Sequence, residues 1–204
     1  MNKIAIIGAG SHTRSSVNLL KQHFKIEQLK IYDDSFNSEN LEYINDVLLV
    51  GTISDIDNDE KVFISIGDNK KREEYFDFFH TKVIEDNFIH DKVYLENNIK
   101  FGVSNQIFAN VYINTDVKIG NNNIINTSAI LEHEVKIGNH NHISVGAKLC
   151  GRAKIGDRCM IGAGAIIIDK LTICDDVVIG AGAVVIKNIN KSGTYVGNPA
   201  RKVK

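Results

Sequence analysis

The chain has 204 residues, room for one or two domains and a real core. Hydrophobic residues make up 43%, charged residues 24%, and the net charge is −1, so neither a disordered chain nor a general nucleic-acid binder is expected. No apolar run approaches about 18 residues and the N-terminus enters directly into a strand-like segment, so neither a membrane span nor a secretory leader is expected. Three cysteines, Cys150, Cys159 and Cys174, form no CxxC pair and no even set, which suits a reducing cytoplasm better than a disulfide framework.

In chain order, Lys3 to Ile7 reads as a buried strand, followed by Gly8-Ala9-Gly10-Ser11-His12 and a helical stretch to about His23. Leu29 to Tyr32 is a second strand ending in Asp33-Asp34. Residues 39–46 read as helical, Val47 to Val50 as extended, and Lys61 to Ile66 as a strand running into Gly67-Asp68-Asn69, with a helix over 70–80. Strands alternating with helices predict a small α/β, Rossmann-like domain over residues 1–90. Gly8-x-Gly10 after the first strand has the form of a phosphate-binding turn, or of a plain tight turn, because position 13 is Thr and the third glycine of the dinucleotide fingerprint is missing. Asp33-Asp34 stands where a ribose or base would be met, and a solvated loop is the other reading. Three strand ends carrying Gly10-Ser11-His12, Asp33-Asp34 and Gly67 should meet at one sheet edge, where α/β folds bind ligands. About 90 residues hold a nucleotide or nucleotide-sugar more readily than a full dinucleotide fold.

Beyond that point the composition changes. All three cysteines and 12 of the 16 glycines lie after residue 100, and Ile113 to Thr194 contains no Phe, Tyr or Trp. The core of this half must be too narrow for rings. Every sixth residue from Leu95 through Ile107, Ile125, Leu131, Ile143 and Ile161 to Val185 is large and apolar. Counting that residue as first, the fifth place is mostly small (Ala129, Ala147, Ala153, Cys159, Ala165, Ala183), and glycine often takes the second (Gly120, Gly138, Gly156, Gly162, Gly180), where it is expected to relax the backbone near a corner. A period of six is neither helical nor a simple meander. It predicts one short strand and a corner per hexad and three hexads per triangular coil, each coil stacking on the last, over residues 91–204 with a C-terminal tail. The hexads resemble the hexapeptide repeat of left-handed parallel β-helices, and the handedness rests on that resemblance.

On this repeat Glu132-His133-Glu134, His140 and His142 stand apart. The register makes His133 third and His142 sixth in their hexads, so both should face outward or sit at a corner, and His140 reads as a surface histidine. Adjacent strand residues face opposite ways, so pairing of His133 with Glu134 requires the corner to bend. A histidine oriented by a carboxylate is the usual general base near neutral pH. A zinc site shared by three histidines is disfavoured, since no histidine follows His142, and no metal is expected. With 18 residues per coil, Gly151 stacks on His133, and Ala163 and Ala181 share a column adjacent to His142. His133 and His142 lie half a coil apart, on different sides of the prism. They can cooperate only across a subunit interface, so a homotrimer with a groove between neighbours is expected.

Ile125-Asn126-Thr127-Ser128-Ala129-Ile130-Leu131-Glu132-His133-Glu134, continuing through His142-Ile143-Ser144-Val145-Gly146-Ala147-Lys148 and Gly151, resembles bacterial nucleotide-sugar acetyltransferases. This group includes the N-acetyltransferase of the UDP-bacillosamine pathway and, more distantly, sialic-acid O-acetyltransferases. The likeness extends to the Gly8-Ala9-Gly10-Ser11-His12 turn, Asp33-Asp34, Ile66-Gly67-Asp68-Asn69-x-x-Arg72 and Val196-Gly197-Asn198-Pro199-Ala200. The resemblance implies His133 as general base with Glu134 orienting it, and His142 against the acetyl-CoA thioester. It further implies Gly151, Ala163 and Ala181 lining the coenzyme groove, Gly10, Ser11, His12, Asp33, Asp34 and Gly67 holding the nucleotide-sugar, and Asn126 positioning the sugar. The activity implied is acetyl-CoA-dependent N-acetylation of a nucleotide-linked amino sugar, a 4-amino-4,6-dideoxy hexose, for a bacterial surface glycan or glycoprotein. A sialic-acid O-acetyltransferase and a non-catalytic nucleotide-sensing scaffold are the alternatives. The nucleotide and the sugar stereochemistry are not encoded in any motif of the chain. No cysteine has a neighbouring base at suggestive spacing and Cys159 should point inward, which argues against a covalent acetyl-cysteine.

Overall fold

The computed structural model describes residues 3–203, in two compact units that divide between Phe88 and Ile89. In the first, β1 (Ile4–Ile7), β2 (Leu29–Tyr32), β3 (Tyr43–Ile44), β4 (Val47–Gly51) and β5 (Lys61–Ile64) form one sheet in the order β3-β4-β2-β1-β5. The strands are parallel except for the β3–β4 pair. Helices α1 (Ser11–Leu20) and α2 (Asn69–Phe78) follow β1 and β5. β1 is buried along its whole length, as a strand covered on both faces must be, which is why its sequence is an unbroken apolar run.

The helix expected over 39–46 does not form. Asn45 and Asp46 both take positive φ (47° and 68°), the geometry of a two-residue hairpin turn, and Tyr43–Ile44 folds back antiparallel on Val47–Leu48. Asn and Asp adopt this conformation cheaply, so turn chemistry overrode the helical reading of the preceding acidic stretch.

The second unit is a β-solenoid with 18 residues per coil. Tyr112 pairs with Tyr94 and Ile130, Lys118 with Lys100 and Lys136, and Ile124 with Gln106 and His142, all parallel and in register. The last coil is closed by Gly193–Val196, which pairs with Val177–Ile179 and with the antiparallel Arg201–Lys202. From Ile107 to Val185 every first-place residue is buried. Leu95, in the opening coil, is 40% exposed because no earlier coil covers it on that side.

From Asn105 to Ile189 the fifth place is buried apart from the partly buried Leu171, and three of its residues are polar, Asn105, Asn123 and Asn141. The N–H of Asn123 donates to Asn105 Oδ1 (2.9 Å), that of Asn141 to Asn123 Oδ1 (2.8 Å), and that of Cys159 to Asn141 Oδ1 (2.6 Å). A buried amide oxygen is tolerated only when paired, and the N–H of the next coil supplies that pairing for each Oδ1. The ladder ends at Cys159, whose thiol meets the Cys174 carbonyl at 3.1 Å and is pushed up to about 12 by burial.

Corner geometry corrects the role assigned to the second-place glycines. Positive φ recurs at every sixth residue from Asn98 to Gly182, which is the fourth place, and only Gly146, Gly164 and Gly182 among these are glycine. The second-place glycines answer a different demand, close approach between coils. A Cβ on Gly120 would lie 2.5 Å from the Gly138 carbonyl oxygen.

Candidate active site

His133 and Glu134 occupy the third and fourth places of one hexad, after the strand Ile130–Leu131. Glu134 has φ 61°, so the chain turns between them and both side chains reach the same side. His133 Nδ1 lies 3.1 Å from Glu134 Oε2. One coil on, Arg152 has φ 62° and donates its Nε–H to the same oxygen at 2.8 Å. The three side chains are about half exposed, at 44%, 46% and 51%. Hydrogen bonding to His133 and the Arg152 charge hold the Glu134 carboxyl below the usual carboxylate range.

An ionised carboxylate only accepts, so the contact requires Nδ1 to carry the proton and leaves the lone pair on Nε2. That nitrogen stands over Gly151. A Cβ at Gly151 would fall 2.5 Å from Nε2 and 2.6 Å from Cε1, so the ring occupies the space that any other residue would fill. The Gly151 N–H has no acceptor among the described residues. This corner can remove a proton at Nε2, with the opposite nitrogen fixed by a carboxylate.

The next face but one carries His142, in the strand His142–Ile143 between Ile124 and Met160. It is 9% exposed and His140 is 8% exposed, so His140 is not the surface histidine expected, and His142, though outside the solenoid core, is covered. His140 Nδ1 pairs with Asn122 Nδ2 at 3.0 Å. Asn126 Oδ1 accepts the Thr127 N–H at 2.8 Å, which turns its amide nitrogen toward His142 Nε2 at 3.2 Å. His142 and Asn126 are thus joined. Ala163 and Ala181 stack at the corner beyond, both exposed and each followed by a positive-φ glycine. The corner itself, Ala163-Gly164 and Ala181-Gly182, carries no side chain longer than a methyl group in these two coils.

In the first unit the ends of β1, β2 and β5 converge. Gly10, Ser11, His12, Asp33 and Gly67 line one cavity of about 340 Å³, together with Gly8, Ser65, Ile66, Asp68 and Lys71. Asp34 is separate. It lines a neighbouring, mostly apolar cavity with Ile53, Ser54, Glu74, Tyr75 and Phe78. Asp33 Oδ2 accepts the Ala9 N–H at 2.8 Å, and Oδ1 accepts from the Ser35 N–H and hydroxyl. Burial would raise this carboxyl, but the Ser35 and Ala9 hydrogen bonds and the Lys71 charge outweigh it and lower it. Gly10, the N-cap of α1, offers no side-chain cap, the first turn holds no acid, and a Cβ there would meet nothing within 4 Å. The N-terminus of α1, without a side-chain cap and beside Lys71, suits an anion such as a diphosphate.

Residues 3–79 match the family model of the PglD N-terminal domain, and residues 134–169 and 152–187 match the bacterial transferase hexapeptide (six repeats). PerB from Caulobacter crescentus, a structure in complex with CoA and GDP-perosamine, is 26% identical with a TM-score of 0.88, over 100% of this chain and 98% of that one. The chain is homologous to the hexapeptide-repeat acetyltransferases. The acetyltransferase domain of PglB from Neisseria gonorrhoeae (24% identity, TM-score 0.89, 100% of both chains) and WeeI from Acinetobacter baumannii (23%, 0.83, 100% of both) share its fold. Among curated proteins none matches the chain in sequence.

Arg152 went unnoticed in the sequence, as did the roles of Thr13 and Arg72. Arg152 stands 18 residues after Glu134, a spacing that acquires meaning only once the coil length is known. Thr13, at the missing third glycine, is buried and donates its hydroxyl to the Gly8 carbonyl at 2.8 Å, tying α1 to the turn. Arg72 is wholly buried, lowered to about 9 by desolvation, and donates to the carbonyls of Ile66 and Gly67 (3.1 and 3.3 Å) and to Asn69 Oδ1 (2.8 Å), so it shapes the loop that floors the cavity. No group of three or more His, Cys, Asp or Glu among the described residues could hold a metal, and no described helix is long and apolar enough to cross a membrane.

Proposed function

We propose that the protein transfers the acetyl group of acetyl-CoA to the amino group of a nucleotide-linked amino sugar, a 4-amino-4,6-dideoxy hexose, in the biosynthesis of a bacterial surface glycan or glycoprotein. The observation that carries this reading is His133, with Nδ1 on Glu134 and Nε2 over Gly151. The likeness to PerB, whose structure contains CoA and GDP-perosamine, supports the two substrates.

The neutral amine attacks the thioester carbonyl carbon and His133 Nε2 takes the amine proton. The carbon–sulfur bond then breaks, and CoA leaves as thiol once the proton returns to sulfur. Base catalysis of this kind contributes about 10²–10⁴-fold. The Gly151 N–H, free of an intrachain acceptor, supports a donor role at the developing oxyanion, and His142, steadied by Asn126, a contact to the thioester. Gly10, Ser11, His12, Asp33 and Gly67 take the nucleotide diphosphate end of the substrate, and Asp34 its ribose or base.

His133 follows a strand of one sheet and His142 lies in a strand of another, which supports a left-handed β-helix working as a homotrimer, with the two histidines of one site supplied by different subunits and Ala163 and Ala181 lining the coenzyme groove. The buried, raised thiol of Cys159 supports direct transfer without an acetyl-cysteine. Three free cysteines support a cytoplasmic location.

The test is release of CoA thiol from acetyl-CoA with a panel of UDP-, dTDP-, GDP- and CMP-linked amino sugars, run beside the His133→Asn variant. Turnover with an amino sugar that falls at least about 100-fold in the variant is expected. Nucleotide binding by calorimetry with no thiol released by any amine would make the protein a sensor instead, and release only with sialic acid would make it an O-acetyltransferase.

A further inference from the structure

We propose that Arg152 is a positioning residue for the base, holding Glu134 Oε2 from the neighbouring coil so that the carboxylate fixes the His133 tautomer while its pull on the charged ring is offset. This rests on the reading of His133 as the base.

One carboxylate oxygen, Glu134 Oε2, serves both neighbours, at 3.1 Å to His133 Nδ1 and 2.8 Å to Arg152 Nε. A carboxylate beside an imidazole stabilises the imidazolium and so raises the pH at which the ring loses its proton. A guanidinium on the same oxygen offsets that charge, repels the imidazolium and fixes the direction of the lone pair that Nδ1–H must meet. Arg152 thereby separates two effects that a bare His–Glu pair couples: the tautomer is held, while the stabilisation of the charged ring is reduced.

The backbone binds the three residues into one device. Glu134 and Arg152 share the same left-handed corner conformation one coil apart, and the Arg152 N–H donates to the His133 carbonyl at 2.9 Å. The guanidinium therefore approaches from a frame fixed by the coil stack. The other charged groups around this corner are Glu132 in the same hexad, Lys100, Asp116, Lys118 and Lys136 in the groove that Glu134 lines, and Asp169 and Lys170 one coil beyond Arg152. Asp169 and Lys170 lie 3.8 Å from each other, and Glu132 accepts from Asn114 Nδ2 at 2.8 Å. None of these groups is within ion-pair distance of His133 or Arg152, so the Glu134 oxygen is where the two meet.

The experiment is the pH profile of kcat/KM for the wild type, Arg152→Gln, Arg152→Lys, Glu134→Gln and the Arg152→Gln/Glu134→Gln double variant. With Arg152→Gln the acid limb is expected to move up by about one pH unit, so that activity on that limb falls about tenfold relative to the alkaline plateau. Arg152→Lys, which keeps the charge, is expected to bring the limb back. In the Glu134→Gln background, removal of Arg152 is expected to move the limb much less, because the carboxylate that holds the guanidinium beside the ring is gone. Ionisation of the substrate amine is common to all variants and cancels from the differences. A limb unmoved in Arg152→Gln, or moved equally with and without Glu134, overturns the proposal. His133→Asn separates the two readings: loss of turnover with an unmoved Arg152→Gln limb removes Arg152 alone, whereas wild-type turnover in His133→Asn removes the base reading and this proposal with it.

Discussion

Two corners of the solenoid have the same backbone and opposite surfaces. At one, the fourth-place residues are Glu134, Arg152 and Lys170, with φ of 61°, 62° and 62°; at the other they are Gly146, Gly164 and Gly182, with φ of 65°, 66° and 65°. Glycine takes this conformation without steric cost, whereas a residue with a Cβ gives up about 1 kcal/mol or more. The fold therefore accepts glycine at any corner, and long charged side chains persist against the local preference. At the first corner they form a chain of contacts, from His133 through Glu134 to Arg152. At the second, Ala163 and Ala181 leave a smooth exposed channel. On the proposed function, the first corner holds chemical groups in place for a base and the second leaves room for a long coenzyme.

The largest effect should come from filling the single vacancy at the charged corner. In Gly151→Ala the new Cβ would meet the imidazole at 2.5 Å, and the ring, being partly exposed, can swing outward at little cost to the fold. Turnover is expected to fall by about 100-fold or more, because a base displaced by an ångström loses its alignment, while the melting temperature changes little. Steady-state kinetics beside a thermal melt checks this. A variant with wild-type kcat would show that the His133–Gly151 stacking has no part in the reaction.

A smaller and more discriminating change is Glu134→Gly, which makes the charged corner resemble the bare one. The backbone is relieved, so stability at neutral pH should hold or rise, while His133 loses its orienting partner and kcat drops about tenfold. Acid sharpens the contrast. The Glu134 carboxyl is held below its ordinary value, so its contribution is present above the unfolded-state pKa and is lost as pH falls through the folded one. Melting temperatures of the two proteins should therefore diverge in favour of the glycine variant below the usual carboxylate range. A parallel pH dependence for both would mean that Glu134 makes no net ionic contribution to the fold.

The architecture was legible in the sequence because it is periodic. Ile107 to Val185 at steps of six, the 18-residue coil and the inward Cys159 all follow from spacing, and the structure places them so. Local conformational demands were less visible. Nothing in a list of second-place glycines distinguishes relief of strain from close approach of the next coil, and the fourth place is hidden by its variety of Asn, Asp, Ser, Glu, His, Arg and Lys. His142 faces away from the solenoid core as its sixth place requires, yet it is 9% exposed, and coil register alone does not determine what covers an outward residue. The asparagine ladder and the Glu134–Arg152 tie share a reason for being missed. Each partner lies 18 residues away, so its polar character makes sense only as a column, never along the chain. In the first unit, Arg72 stands in a recognisable motif, yet its burial follows from the nearby carbonyls it caps rather than from any pattern around it.

The smallest effect tests the bare corner itself. Gly164 sits at φ +66°, next to Ala163 in the channel, and a Cβ there would meet nothing within 4 Å. Gly164→Ala should therefore cost only the backbone preference, about 1 kcal/mol, which lowers the melting temperature by roughly 2–4 °C in a chain of this size. Because the methyl group projects into open space beside the channel, the KM for acetyl-CoA should rise a few-fold while kcat is retained. His133, Glu134 and Gly151 stand at the other corner and are untouched. A fall in kcat as large as that in Gly151→Ala, with an unchanged KM, would mean that the two corners do not divide the work as their side chains indicate.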